Sequence, residues 1–230
     1  EALDFDRLVE ALPPVDACAR VNVLDVSEGP VRQALADPSL VIKTDFDPAD
    51  LPRTPEIWAT DAQWNVIAQE LLDRGILEEI EERDIHLVGG RKLLGGLFGV
   101  REGGRLRDSG PQRLIMNFVP SNAIQSQLLG DMPLLPSTDK WRTLVLRGGE
   151  QMLLSSEDLR CCFYVYRLPS AWRPYIALSR PAKLRCGRWA WLSSAVVPMG
   201  WVSATGVIQR ASRNLLRCPL PDVEGLPARK

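Results

Sequence analysis

Apolar positions recur along the chain with two different periods, and the points where one gives way to the other divide it into elements. Thr60-Asp61-Ala62-Gln63 has the form of a capping box, and Trp64, Ile67, Ala68, Leu71 and Leu72 follow at helical spacing until Gly75. This pattern predicts a helix over 60–74. Ile76 to Ile85 is acidic and is expected to turn into a strand, and GGRKLLGGLFGVREGG, residues 89–104, reads as a hairpin with glycine-rich corners. RLIMNFVPSN, 113–122, is a strand ending in a turn. Further on, GEQMLLSSED predicts a strand, DLRCCFYVY a sharp turn into a short helix or bend, and PYIALSR and WLSSAVV two more strands. PMGW makes a turn, and VSATGVIQRASRNLL a helix with Ala204, Val207, Ile208, Ala211 and Leu215 along one stripe. Strands and helices mixed without regular alternation predict an α+β fold rather than a doubly wound sheet.

The ends of the chain carry less pattern. Residues 1–57 mix short apolar runs with Pro13, Pro14, Pro38, Pro48, Pro52 and Pro55, which predicts an irregular, wrapped segment. Residues 218–230 are proline-rich and loop-like. Between them, 58–217 forms the main unit. Trp189 to Gln209 runs 21 residues without a charge, long enough to span a bilayer. Its serines and the Pro198-Met199-Gly200 break instead suit a strand, a turn and a helix, so no membrane partner is expected.

Composition adds compartment and charge. The five cysteines form no CxxC pair, which suggests neither a disulfide framework nor a zinc site but reduced thiols in an intracellular protein. The chain starts at Glu1 with no basic-then-apolar leader, and it is expected to be part of something longer. A net charge of −1 conceals an asymmetry: residues 1–90 hold 20 Asp/Glu against 7 Lys/Arg, and residues 91–230 hold 9 against 21. From Leu159 to Leu220 there are ten Lys/Arg and no acid. Such a surface would suit a polyanion. Composition equally allows a solvated basic face, or a basic lobe docked on the acidic one.

Several chemistries are missing. The one histidine, His86, has no nucleophile that the sequence can pair with it, and no GxxxxGK[ST] phosphate loop occurs. What remains is Asp158, at the end of a strand in a lobe that is otherwise basic. A carboxylate there could hold a hard divalent cation, or it could cap the turn beginning at Leu159.

In order and at plausible separations, the helix at 60–74, LFGVRE, RLIMNFVPSN, LLSSEDLRCCFYVYRLP and AVVPMGWVSATGVIQ resemble the fingers and palm of reverse transcriptases, particularly those of retroelements. The resemblance covers roughly residues 56–216. It implies a right-hand polymerase fragment with a mixed antiparallel sheet and packed helices, and RNA-directed DNA polymerisation by two-metal phosphoryl transfer in the intact protein. By this resemblance Asp158 is the first metal-binding aspartate of the palm, with the Leu159 carbonyl adding a ligand for Mg2+, or Mn2+. Phe163 would lie beneath the incoming sugar and exclude a 2′-hydroxyl. Arg113 would stack over the incoming base and reach the triphosphate, and Arg101 sits near the second triphosphate-binding cation. Met199 and Gly200 would line the nucleotide pocket.

The implied partners are an RNA or DNA template-primer and deoxynucleoside triphosphates, and the implied compartment for a genomic element is nuclear. The family's paired aspartates are absent, since no Asp-Asp occurs in the sequence. The chain as it stands is therefore expected to be inactive. Two alternatives stay open: a non-catalytic nucleic-acid-binding relic of a retroelement, and a protein-interaction module using the acidic N-terminal part.

Overall fold

The computed structural model describes residues 1–101, 110–134, 145–151 and 161–217. Within them the fold is α+β, built on a mixed sheet. The sheet consists of β2 (Leu77–Ile80), β5 (Leu94–Arg101), β6 (Gln112–Asn117), β8 (Ala177–Leu178), β9 (Ala182–Lys183) and β10 (Trp189–Ser194). Its order is β2-β10-β8-β5-β6, with β9 also on β10, and only the β5–β8 pair is parallel. A hairpin of β3 (Leu87–Val88) and β4 (Arg91–Lys92) stands apart, as does a parallel pair of β1 (Val21–Asn22) and β7 (Tyr166–Arg167).

Local chemistry fixes the best-defined helix. Helix α3 (Asp61–Asp73) begins at a capping box in which the Thr60 and Gln63 side chains satisfy each other's backbone N–H groups. Its Trp64, Ile67, Ala68 and Leu71 are fully buried against the sheet side of the molecule. Gly75, at φ +70, ends the turn as expected.

The N-terminal segment is more regular than its prolines suggest. It contains α1 (Phe5–Ala11), capped by the Asp4 carboxylate on the Arg7 N–H, and α2 (Gly29–Ala36), with Pro30 in its first turn. Leu3, Leu8 and Leu35 belong to the same core as Trp64, Trp172 and Tyr166. Packing supplies what short helices with little propensity lack, because helical stability in proteins comes mainly from burying one face.

The glycine-rich stretch also departs from the expected hairpin. Among its described glycines Gly89-Gly90 makes a corner, between β3 and β4, while Gly95, Gly96 and Gly99 lie inside β5. They are there for close approach: a Cβ on Gly96 would stand 2.3 Å from the Glu56 carbonyl oxygen, and one on Gly99 2.0 Å from the Gln112 side chain. RLIMNFVPSN ends in a short helix, α4 (Val119–Ala123), rather than a simple turn.

The long uncharged run resolves into β10, a turn and α6 (Ala204–Arg217), with α5 (Cys162–Val165) earlier in the chain. Among the described residues no helix is long and apolar enough to cross a membrane. The buried Ser193 hydroxyl bonds the Arg173 and Ile176 carbonyls, and that of Ser194 bonds the Val196 carbonyl. On α6 the buried stripe covers Ala204, Val207, Ile208 and Ala211, whereas Leu215 is exposed because the helix outruns the core. Cys18, Cys161, Cys162 and Cys186 are free thiols. The strand expected over 149–158 and the loop at 218–230 lie essentially outside the described residues.

Asp131 anchors α6 from below. Its carboxylate, 2% exposed, meets Arg210 at 2.8 Å and Arg213 at 3.1 Å, and Arg210 also reaches Glu28. Removing the acid leaves two half-buried guanidinium groups facing each other. Asp131→Ala is therefore expected to lower unfolding free energy in urea by about 2–3 kcal/mol, the lower end for a broken buried pair because both arginines keep some solvent. A change below about 0.5 kcal/mol, the surface range, would contradict this arrangement.

Candidate functional site

Strand β6 carries alternating faces. Gln112, Leu114 and Met116 point into the molecule, and exposed Arg113 shares the other face with Ile115 and Asn117. The strand pairs with β5 in register, Arg113 opposite Val100 and Gln112 opposite Arg101. Arg101 is engaged by the chain's first residue: its Nε donates to a Glu1 carboxylate oxygen at 2.6 Å. The Gln112 amide and then Arg101 hold the Glu1 carboxyl below the usual carboxylate range.

The turn after β10 is built against this strand. The Met116 N–H donates to the Met199 carbonyl at 2.9 Å. Asn122, on α4, donates from Nδ2 to the Gly200 carbonyl and accepts the Val202 N–H on Oδ1, both at 2.9 Å. One amide side chain thus fixes three residues of the turn. Gly200 sits at φ +119, where a Cβ would lie 2.0 Å from the Met116 carbonyl oxygen and 3.8 Å from the Ile115 side chain. No other residue fits a backbone approach this close at such a φ.

Below the turn a polar chain continues. Trp201 Nε1 donates to Gln125 Oε1 at 2.7 Å, and Gln125 Nε2 donates to the Ser121 hydroxyl at 2.6 Å. The Trp201 ring meets Trp172 edge-on with centroids 4.7 Å apart. These contacts set the turn's height above the core.

Phe163 lies on α5. Cys161 adopts a left-handed backbone, φ +57, which gives the sharp entry into α5. The Phe163 ring is half-buried against the main core. Directly after α5, β7 pairs with the segment leading into the Met199 turn: the Val197 N–H donates to the Tyr166 carbonyl, and Leu168 to Ala195.

The expected residues therefore separate into groups. Met199 and Gly200 meet β6 at Met116 and Ile115, three and two residues along the strand from Arg113. Phe163 lies on α5 against the main core, and Arg101, next on β5 to the Val100 that faces Arg113, is tied to Glu1. Asp158 and Leu159 lie outside the described residues. Among those described, no group of three or more His, Cys, Asp or Glu is placed to hold a metal ion.

Asn122, which holds the turn, has no role that the sequence motif assigns it. Its only signal is that it is an amide where the surrounding run is mostly apolar. His86 stacks on Tyr175 at 4.6 Å, and burial lowers its pKa, as suits a structural imidazole. A cleft of about 800 Å³ opens elsewhere, beside Glu79, Glu81, Arg188, Trp189 and Trp191, and none of the expected site residues lines it.

The charge asymmetry takes a definite form. Of the nine Lys/Arg described between 161 and 217, seven lie within 4.0 Å of a carboxylate. Six of these seven find a partner in the first 90 residues: Arg173 and Arg167 on Glu78, Arg180 on Asp61, Arg185 on Asp73, Arg188 on Glu79 and Arg210 on Glu28. The basic half is largely docked on the acidic half.

No family model matches this chain, and no curated protein matches it.

The turn's dependence on a missing side chain gives a direct test. Gly200→Ala should lower stability by about 2–4 kcal/mol, since it adds strain at positive φ to a clash with backbone. At roughly 2–4 °C per kcal/mol for a chain of this size, the melting temperature should fall clearly in a calorimetric scan. An unchanged melt would mean that the turn does not press on β6.

Proposed function

We propose that the chain is the fingers and part of the palm of a reverse transcriptase, contributing to template-directed deoxynucleotide polymerisation in the intact protein. The observation that supports it most is the clamped contact between the Arg113 strand and the Met199-Gly200 turn. The resemblance gives both segments to the nucleotide pocket, and they are 85 residues apart in sequence (Arg113 to Pro198) yet share a backbone hydrogen bond. Arg113 projects from the exposed face of β6, where a planar cation could meet a triphosphate. Phe163 is half-covered against the main core, as a bulky wall beneath a sugar would be. The reading asks Asp158 and the Leu159 carbonyl to hold a divalent cation, which would supply charge neutralisation for the triphosphate.

A second reading, a scaffold that does not catalyse, draws on the ion pairs. Arginines already spent on Glu78, Glu79, Asp61 and Asp73 release few counterions from a nucleic acid. The two readings differ in what the extended protein does.

In a chain extended beyond Lys230 to include paired aspartates, Asp158→Asn should abolish primer extension and leave the melting temperature unchanged, because an amide cannot neutralise a cation. Wild-type extension by that variant would remove Asp158 from the site. In the same extended protein Phe163→Val should admit ribonucleotides with little loss of deoxynucleotide use, since only bulk is removed. Unaltered sugar discrimination would leave Phe163 as core packing alone.

For the 230-residue chain, anisotropy titrations with a primer-template should show binding at low salt. The log–log salt slope should be shallower than about −4, against roughly −9 were ten cations all free to contact phosphates. A slope near the larger value would mean that the ion pairs open on binding.

A further inference from the structure

We propose that the cleft between β1, β7 and the 3-10 turn Ser170–Tyr175 is a binding site for a phosphate group. It encloses about 440 Å³, and three guanidinium groups, those of Arg20, Arg167 and Arg173, line it. They come from three separate segments. None of these residues, and none of the others lining the cleft, belongs to the nucleotide-facing site, so this proposal stands or falls independently of the polymerase reading.

The strand pairing brings the donors together. β1 and β7 run parallel with Asn22 opposite Arg167, and Arg20 precedes β1 by one residue, so alternation puts Arg20 and Asn22 on one side. Ala19, just before Arg20, has φ +53, and its N–H is fixed by the Tyr164 carbonyl at 2.8 Å. This sets the point at which the Arg20 side chain leaves the backbone. Asn22 accepts the Leu24 N–H on Oδ1, and among the described residues nothing engages its amide donors. The Ser170 side chain adds a hydroxyl to the same wall.

Charge decides the ligand class. Arg173 is gripped by Glu78 through both Nε and a terminal nitrogen, which holds its guanidinium in place. Arg167 lies 3.9 Å from that same carboxylate, and Arg20 has no carboxylate partner among the described residues. With Asp25 as the one acid lining the cleft and Glu78 shared behind it, three cations face two anions. Such a concavity draws an anion, and guanidinium forks match phosphate oxygens in geometry. The lining carries little apolar surface beyond Leu168 and Pro169, so the charged group rather than an apolar body would be recognised.

Free phosphate, a nucleotide and a nucleic-acid backbone share this chemistry. The test titrates the 230-residue chain, by calorimetry at constant ionic strength, with inorganic phosphate, deoxyadenosine monophosphate and a short oligothymidylate. Arg20→Ala should weaken binding of the preferred probe by roughly tenfold, as expected for a charge-assisted hydrogen bond. Asp25→Asn should tighten it by roughly twofold to fivefold, an effect that a merely structural role would not produce. Arg185→Ala, on an exposed pair with Asp73 outside the cleft, should change nothing.

Tightest binding of the oligonucleotide assigns the cleft to a phosphodiester backbone, and tightest binding of either small probe assigns it to a soluble ligand. Both outcomes uphold the site. Saturation by none of the probes, or equal losses in Arg20→Ala and Arg185→Ala, overturns it. Among the described residues Arg20 makes no ion pair that its removal would break, so loss of fold does not obscure the result.

Discussion

Strand β10 is paired on one side with β2 and on the other with β8, and this placement decides how the two halves of the chain meet. Trp191 opposite Ile80 and Ser194 opposite Leu77 lock the acidic segment 77–84 beside the basic segment 173–188. Glu79 then finds Arg188, and Glu78 finds Arg173. The Glu79–Arg188 pair is exposed and contributes little stability, while the Glu78–Arg173 pair is half-buried. The core beneath, with Trp64, Trp172, Ile176 and Leu192 fully buried, holds the arrangement together. The ion pairs follow from the sheet, and their larger effect is electrostatic: a half that looks basic in sequence presents much less free positive charge in the fold.

The same core sets the geometry at the other end of the sheet. Tyr166 is buried, and its hydroxyl meets Ser212 on α6 at 2.9 Å, so β7 and α6 are tied across the segment that ends in the Met199 turn. With the turn's far end fixed by Trp201 on Gln125 and its middle by Asn122, little freedom remains in how Gly200 meets β6. A surface built this way is rigid before any ligand arrives, which lowers the ordering cost of binding.

What could be read from the sequence was what local chemistry determines. Helix α3 announces itself by its capping box and its apolar period, and the Pro198-Gly200 turn by the residues that demand it. The glycines of β5 misled because a glycine needed for close approach to Glu56 or Gln112 looks the same as one needed at a corner. Helices α1 and α2 were hidden because long-range burial of Leu3, Leu8 and Leu35, rather than propensity, stabilises them. Composition could not separate a polyanion surface from a docked lobe, since that distinction lies in which carboxylate faces which guanidinium. Of the candidate site, the strand carrying Arg113 and the turn at Met199-Gly200 were legible as elements, each from its own local pattern. Asn122, whose role depends on contacts 78 and 80 residues away, was not.

The central claim is that β6 and the adjoining turn form one surface that faces a nucleotide. Photo-crosslinking tests it most directly: the chain is incubated with primer-template and a deoxynucleoside triphosphate carrying an azide on its base, irradiated, digested and mapped by mass spectrometry. The account predicts adducts concentrated on the peptides holding Arg113 to Asn117 and Val197 to Val202, suppressed by excess unmodified deoxynucleotide. Adducts scattered over the surface, or competed equally well by inorganic phosphate, would contradict it.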